Sequence, residues 1–233
     1  MSSLWTENIE MPEFPTLEKD IRTQVLIIGG GMAGVLCAYF LQQAGVDYCL
    51  LEKDRICQGV TGHTTAKITA QHGLIYEKSL QSMGQERAEL FLKANLKAVE
   101  NYKNLGRFLD CDMEEMDSYL YSVRERRKLE SEMQALSSLG FQADYIEDTE
   151  LPFEVEGAIR FPRQVQFQPL KFAAGISKNL RIYEHSEVRE MTEYFALTEK
   201  GSVAAEKIII ATHFPFTVSY THLRAHETDQ YLV

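Results

Sequence analysis

A glycine-rich turn between two apolar segments constrains the fold of this chain more than any other feature. Residues 24–28 form a short apolar, β-branched run, which is typical of a strand buried on both faces of a parallel sheet. The segment GGGMAG follows at once, residues 35–44 have the composition of a helix, and Gly45 is a natural helix stop. The pattern predicts a strand, a tight turn and a helix in direct succession.

A second apolar run completes this unit. Residues 48–51 are again apolar, and the run ends at Glu52. The segment 24–52 has about the length of a strand–helix–strand motif. The chain is therefore predicted to be an α/β protein with a Rossmann-like parallel sheet.

The glycines of the turn have separate physical roles in a dinucleotide site. Gly29 makes the tight turn, Gly31 lets the backbone approach a pyrophosphate, and Gly34 lets the helix pack closely on the strand. The helix N-terminus, with Met32 and Ala33 in its first turn, presents free N–H groups to the phosphates. The alternative is an ordinary strand–helix turn that happens to contain glycines.

An acidic residue and two later segments narrow the choice of dinucleotide. Glu52 can accept hydrogen bonds from the ribose hydroxyls and would repel the 2′-phosphate of NADP; the alternative is a solvent-facing Glu at a strand end. The Gly/Thr-rich loop at 59–67 offers further donors near the pyrophosphate, and the next strand of this type, at 208–212, comes very late. A large insertion between the halves of the nucleotide fold favours FAD over NAD.

The remaining segments predict an insertion with its own helices and strands. An apolar stripe predicts a helix between residues 91 and 109. Further predicted helices are at 124–139 and 169–177, and extended segments are at 117–123, 157–167, 180–191, 194–198 and 203–212.

These segments define five predicted divisions. They are an N-terminal arm (1–23), the first part of the nucleotide-binding domain (24–75), a helical and substrate-domain insertion (76–180), the second part of the nucleotide-binding domain (181–217) and a non-native tail (218–233). The tail sequence VSYTHLRAHET resembles a translated transposon-type sequencing adaptor. His222 and His226 in this tail have the spacing of a helical metal pair, but because of their location we predict no metal site.

Composition excludes several classes of partner. The formal net charge of −10 disfavours nucleic acid and anionic membranes. No apolar run approaches the roughly 18 residues that a membrane span requires. The start of the chain lacks a basic segment followed by an apolar one, and none of the four cysteines forms a CxxC pair. We therefore expect a cytoplasmic protein that acts on a small molecule; the oligomeric state is not predicted.

Three segments carry a resemblance to a known family. VLIIGGGMAGVLCAYFLQQAG, LLEKD and GVTGHTTAKITAQHG resemble FAD-dependent oxidoreductases of the D-amino acid oxidase and glycine oxidase family. The resemblance runs from the N-terminal arm to Phe216 and is closest to bacterial members, several of which carry a C-terminal Rieske-type iron–sulfur domain. It implies an FAD-binding domain with an interleaved α+β substrate domain, incomplete at the C-terminus.

The resemblance also implies which residues contact FAD. Val188 corresponds to the position whose backbone pairs with the adenine ring, and Ala211 lies in a segment similar to the family's ATG-like segment near the FAD. His63 matches a position where some members tether the flavin covalently, although a non-covalent role is the expectation here. The other implied contacts are Lys53, Thr61, Thr64, Thr65 and Ala66.

By resemblance, the parent enzyme oxidises a C–N bond of an amine or amino acid by hydride transfer to the flavin. Substrate-contacting residues lie largely later in such chains, so no catalytic residue is predicted and the present chain is expected to be an inactive fragment. A Rieske-type cluster is possible only in the missing C-terminal part. The alternatives are a flavin-dependent reductase or hydroxylase that shares the fingerprint, and a non-catalytic FAD- or ADP-binding module.

Overall fold

The computed structural model describes residues 9–149 and 151–213. The described residues divide into two compact units, one formed by the residues up to Thr64 and from Ala173 onward and the other by the residues from Thr65 to Phe172. The predicted tail at 218–233 lies outside the described residues. The helices are α1 (Met32–Gln43), α2 (Tyr76–Met83), α3 (Gln85–Gly106), α4 (Arg126–Ser138) and α5 (Pro169–Ser177). The strands are β1 (Ile21–Ile28), β2 (Tyr48–Leu51), β3 (Lys67–Ile68), β4 (Glu114–Ser122), β5 (Asp144–Ile146), β6 (Gly157–Gln166), β7 (Ile182–Tyr183), β8 (Glu190–Met191), β9 (Phe195–Leu197) and β10 (Ser202–Ile210).

The first unit contains a six-stranded sheet in the order β7-β2-β1-β10-β9-β8. The strands β7, β2, β1 and β10 run parallel, and β9 and β8 are added in antiparallel pairing. The late strand predicted from sequence is β10, which pairs with β1 from Ile21↔Val203 to Ile28↔Ile210. This confirms that the two ends of the described chain build one nucleotide-type sheet around an inserted segment.

Apolar side chains from the sheet and from the preceding arm form the core of this unit. The helix α1 begins at Met32, three residues before the predicted start, and ends before Gly45, whose φ of +69° is the left-handed conformation typical of a helix stop. The buried cluster consists of Leu17, Leu26, Ile28, Cys49, Leu51, Val188, Ala196, Val203 and Ala205.

Two sequence predictions in this unit need correction. The first strand begins at Ile21, not at residue 24, because Ile21 to Thr23 pair with residues 203–205 of β10. The predicted strand at 180–191 is two short strands, β7 and β8. Residues 184–186 between them, Glu-His-Ser, leave the ladder and bond to other loops instead, so residues 180–191 do not make one continuous strand.

The second unit has an antiparallel sheet of its own, as the α+β interpretation predicts. The strand β4 lies along one edge of β6, and β3 and β5 pair with the two ends of β6 along its other edge. The helix α2 packs against α3 and α4, and both of these contact β6. The elements α2, β3 and β5 were missed from sequence because each is short.

The second unit spans 65–172, whereas the sequence placed the insertion at 76–180. The difference at the first boundary has a clear cause, since β3 leaves the Gly/Thr-rich loop to pair with Val165 and Gln166 of β6. Across the described residues, no helix has both the length and the apolar character needed to cross a membrane.

Candidate functional site

The turn after β1 has a geometry that only glycine permits at its first position. Gly29 has a φ of +109°, and its N–H donates to the carbonyl oxygen of Leu51 at 2.8 Å. A Cβ at this position would lie 2.9 Å from the carbonyl carbon and oxygen of Ala211. The late strand therefore runs directly behind the turn, and Ala211 donates its own N–H to Ile28 at 2.8 Å.

Two further glycines are enclosed by the fold. A Cβ on Gly34 would overlap the carbonyl oxygen of Gly29, which explains the close packing of α1 on the turn. A Cβ on Gly30 would lie 2.9 Å from Cγ2 of Ile56 and 3.0 Å from Cβ of Glu52. Roles for Gly29 and Gly34 were predicted from sequence, whereas none was predicted for Gly30, whose constraint comes from the loop after β2.

Gly31 differs from its neighbours because the space in front of it is open. Within the described part of the chain, a Cβ there would meet only the hydroxyl oxygen of Thr61, at 3.9 Å. Gly31 is the N-cap of α1 and supplies no side-chain cap. The N–H of Met32 donates to Oγ1 of Thr61 at 3.3 Å, and the first intrahelical bond runs from Val35 to Gly31. The N–H groups of the first turn, including that of Ala33, thus have no acceptor within the helix. They lie next to Gly31, where the space in front of the backbone is open.

Glu52 lies at this open turn. It directly follows β2, and its Oε2 accepts the N–H of Gly30 at 2.6 Å while its Oε1 accepts the N–H of Asp54 at 3.0 Å. The carboxylate and the helix N-terminus therefore flank the same short stretch of backbone. Lys53 does not share this arrangement: its side chain is 65% exposed and pairs with Asp54 at 3.6 Å.

The Gly/Thr-rich loop contributes unequally to this site. A 3₁₀ helix at Val60–His63 carries Thr61 to the start of α1. The His63 side chain is exposed, and its Nδ1 lies 3.1 Å from the carbonyl oxygen of Gly59. Thr64 is half-buried and ends the 3₁₀ helix.

The next two predicted contacts belong to the second unit. Thr65 is exposed there. Ala66 is buried with a φ of +57°, and its carbonyl oxygen accepts the N–H of Phe167 at 3.3 Å. A left-handed conformation is uncommon for alanine, so the chain at Ala66 is held by its surroundings.

The predicted adenine-contacting residue belongs to the first unit. The Val188 side chain is 8% exposed and packs in the cluster that contains Leu51 and Ala196. No hydrogen bond within the described residues engages the Val188 backbone, although the next residue, Arg189, donates its N–H to Leu197 at 2.9 Å. The backbone N–H and carbonyl of Val188 thus have hydrogen-bonding capacity left over, as contact with a heterocycle would require.

These features fit a dinucleotide. Free N–H groups at a helix start favour a diphosphate, and an open glycine permits its close approach. A carboxylate beside the turn can accept hydrogen bonds from ribose hydroxyls. Among residues 9–149 and 151–213, no side chain fills the space over Gly31, so the residues present can hold the adenosine diphosphate part of FAD.

Comparison with known proteins agrees with this geometry. Residues 24–218 match the family model described as FAD dependent oxidoreductase. The chain is similar to YhfW of Bacillus subtilis (strain 168), which is named as a Rieske 2Fe-2S iron-sulfur protein, with 33% identity over 91% of this chain and 44% of that protein. It is also similar to gamma-glutamylputrescine oxidoreductase of Escherichia coli (strain K12), with 25% identity over 85% of this chain and 50% of that protein.

A solved structure shows the same fold. Glycine oxidase from Geobacillus kaustophilus aligns with a TM-score of 0.60 and 20% identity over 82% of this chain and 55% of that one. The chain spans about half the length of the curated relatives it matches. Because the family model covers most of its 233 residues, the chain belongs to the family of FAD-dependent oxidoreductases that the glycine-rich turn indicated.

Proposed function

We propose that the first unit binds the adenosine diphosphate part of FAD. The observation that carries this proposal is the position of Glu52, whose carboxylate reaches the N–H of Gly30 next to the open backbone at Gly31. The diphosphate would lie against the N–H of Ala33 and close to Met32, whose N–H donates to Oγ1 of Thr61, and Glu52 would accept hydrogen bonds from the ribose.

Further contacts of the cofactor are proposed, and all of them except Thr65 and Ala66 belong to this unit. The backbone of Val188 would pair with the adenine, and Ala211 supports the turn from behind. Thr61 and Thr64 supply hydroxyl groups near the start of α1, and Lys53, Thr65 and Ala66 remain proposals from the family resemblance. His63 is proposed as a non-covalent neighbour of the cofactor, since its ring contacts the Gly59 carbonyl.

The complete protein is proposed to oxidise a C–N bond of an amine or amino acid. Family membership and the similarity to gamma-glutamylputrescine oxidoreductase support this reaction class. Bound FAD would supply a two-electron acceptor for the hydride from the carbon that bears nitrogen, after which the imine hydrolyses. The described residues contribute cofactor binding to this reaction; no catalytic acid or base is assigned to them.

Two features of the whole protein are also proposed. Similarity to YhfW supports a Rieske-type cluster in a part of the protein beyond this chain. The four free thiols support a cytoplasmic location, since disulfides are rare there.

The test is anaerobic reduction of the complete protein with its flavin bound. Addition of an amine or amino acid, with glycine and γ-glutamylputrescine as first candidates, should bleach the visible flavin absorbance and release an aldehyde or keto product. Bleaching by NADH but by no amine would instead establish a reductase. Bound FAD that no amine and no nicotinamide reduces would establish a non-catalytic module.

A further inference from the structure

A buried carboxylate contacts the loop after β2, which begins at the proposed ribose-binding residue Glu52. Glu184 directly follows β7 and is 1% exposed. Its Oε1 accepts the N–H of Ile56 at 2.8 Å, and its Oε2 accepts the N–H of Phe14 at 3.2 Å. One side chain thus ties the loop after β2 to the N-terminal arm, which is distant in sequence.

Arg55 strengthens the same junction. Its Nε lies 3.7 Å from Oε2 of Glu184, and its Nη2 donates to the carbonyl oxygens of Met11 at 3.2 Å and Pro12 at 3.3 Å. An isolated buried carboxylate is costly, and two N–H donors with a nearby guanidinium offset that cost. We call residues 11–17 together with Arg55 and Glu184 the arm clamp.

Backbone hydrogen bonds extend the arm clamp to Glu52 itself. The N–H of Glu52 donates to Tyr183 at 2.9 Å, and the carbonyl oxygen of Glu52 accepts the N–H of Ser186 at 2.8 Å. The hydroxyl of Ser186 donates to the carbonyl of Glu184 at 2.8 Å and accepts the N–H of Leu17 at 3.0 Å. The Glu52 backbone is therefore fixed by the segment that carries Glu184.

The front of the same loop meets the glycine turn. The N–H of Ile56 donates to Glu184, and Cγ2 of Ile56 lies against Gly30, where an added Cβ would be 2.9 Å from it. The N–H of Cys57 donates to the carbonyl oxygen of Gly30 at 2.9 Å. A shift of the loop at Ile56 would consequently move both the Glu52 carboxylate and the turn that it contacts.

We propose that Glu184 is a positioning residue which, through the arm clamp, holds the Glu52 carboxylate in the orientation that recognises the ribose of the adenosine diphosphate group. This proposal rests on the proposed cofactor site. The proposal has a characteristic consequence. Substitution of Glu184, which cannot itself touch the nucleotide hydroxyls, should weaken recognition of the ribose.

The experiment measures binding of ADP and of 2′-deoxy-ADP to the 233-residue chain by calorimetry. The ratio of the two dissociation constants reports recognition of the 2′-hydroxyl. The ratio does not depend on the folded fraction of the sample, because both constants are measured on the same protein. A charge-assisted hydrogen bond to the 2′-hydroxyl should give the unmodified chain a preference of about tenfold for ADP. Glu52→Gln should reduce this preference to about twofold or less, since the charge is lost.

Glu184→Gln should reduce the preference to nearly the same low value, and Glu52→Gln/Glu184→Gln should add little further loss. Arg55→Gln, at a side chain that is 29% exposed, gives a milder disturbance of the same junction and should lower the preference in the same direction. It keeps the test decisive if Glu184→Gln does not fold.

The matched control is Glu132→Gln in the second unit. Glu132 is also fully buried and also accepts two backbone N–H groups, from Tyr76 at 2.9 Å and Glu77 at 2.8 Å. This variant should keep the preference of about tenfold. A Glu184→Gln or Arg55→Gln chain that keeps the full preference overturns the positioning role while leaving the cofactor site intact. An unmodified chain that binds neither nucleotide overturns the cofactor site and the positioning role with it.

Discussion

Ala211 lies directly behind Gly29, close enough that a Cβ on the glycine would come within 2.9 Å of the Ala211 carbonyl carbon and oxygen. The two residues directly follow the parallel strands β1 and β10, which are the central pair of the first sheet. The conformation of the turn therefore depends on a strand from the far end of the described chain.

Gly29→Ala should destabilise the protein strongly, because the added methyl group meets backbone atoms and the φ of +109° is disfavoured for alanine. We expect a loss of about 3 kcal/mol or more in the free energy of unfolding, measured by denaturant titration. Gly45→Ala is the matched control, since Gly45 has a φ of +69° but nothing within 4 Å of a Cβ. It should cost only about 1 kcal/mol. Equal losses in the two variants would contradict the crowding by Ala211.

Gly31→Ala should separate binding from stability. Gly31 has a φ of −72° and a ψ of 179°, which alanine adopts readily, and only Thr61 Oγ1 approaches the new methyl group. The free energy of unfolding should stay the same or rise by about 0.5 kcal/mol, because the unfolded chain loses entropy. Binding of ADP should weaken by about tenfold or more, since a methyl group would occupy the approach of the diphosphate. Unchanged ADP affinity, measured by calorimetry, would place the diphosphate elsewhere.

Thiol reactivity should distinguish Cys37 from the other cysteines. Burial raises the pKa of the Cys49 thiol and of the Cys57 thiol to about 12, and it also raises the pKa of the buried Cys111 thiol. These three groups stay protonated near neutral pH and should react slowly with iodoacetamide, whereas the half-buried Cys37 should be alkylated first. Mass spectrometry of the native protein over time, with a denatured sample as reference, locates the modified residues. Rapid alkylation of Cys57 would show that the loop after β2 opens.

The stability of the second unit should depend on the ionisation of Glu132. Burial raises the pKa of this carboxyl above its ordinary 4.5, although N–H donors including Tyr76 and Glu77 partly offset the effect. The native state then binds the proton more tightly than the unfolded state does. The stabilising contribution is fully present below pH 4.5 and is lost as the pH rises through the raised pKa.

Glu132→Gln cannot ionise and should lack this loss. The unfolding free energy of the unmodified chain relative to Glu132→Gln should therefore fall as the pH is raised from 4.5. Denaturant titrations of both proteins at several pH values measure the difference. A difference that stays constant with pH would mean that the N–H donors balance the burial of the carboxyl, and a difference that rises with pH would mean that they outweigh it.

The flavin of the complete protein should be released by acid precipitation. His63 is exposed, and its Nδ1 is engaged with the Gly59 carbonyl oxygen at 3.1 Å, so the ring is already held by its own loop. His63→Ala should accordingly retain its flavin. Yellow colour that stays with the precipitated unmodified protein, and is absent from His63→Ala, would establish covalent attachment.

Local patterns predicted the nucleotide-binding unit well because its signals lie within a short stretch of sequence. The strand β1, the turn and α1 follow one another directly, and Glu52 lies at the end of the next strand. The start of β1 was placed too late, since Ile21 to Thr23 belong to the strand only through their pairing with β10. That pairing carries no local signal.

Residues that act over long sequence distances could not be predicted in this way. Glu184 lies 128 positions from its partner Ile56, and its local sequence gives no reason to expect a buried carboxylate. The helix α2, which was missed because it is short, also depends on a residue that is distant in sequence. Its first turn is stabilised by Glu132, which lies 56 positions from Tyr76 and projects from another helix.

The parallel pairing of β1 with β10 also dictates the order in which the molecule can assemble on the ribosome. Residues 65–172 form a continuous stretch, so this unit can fold as soon as it leaves the exit tunnel. The glycine turn has by then already been synthesised, but it has no strand behind it until Ala211 emerges. A nascent chain paused before that point would carry every glycine of the turn and still lack the strand that encloses Gly29.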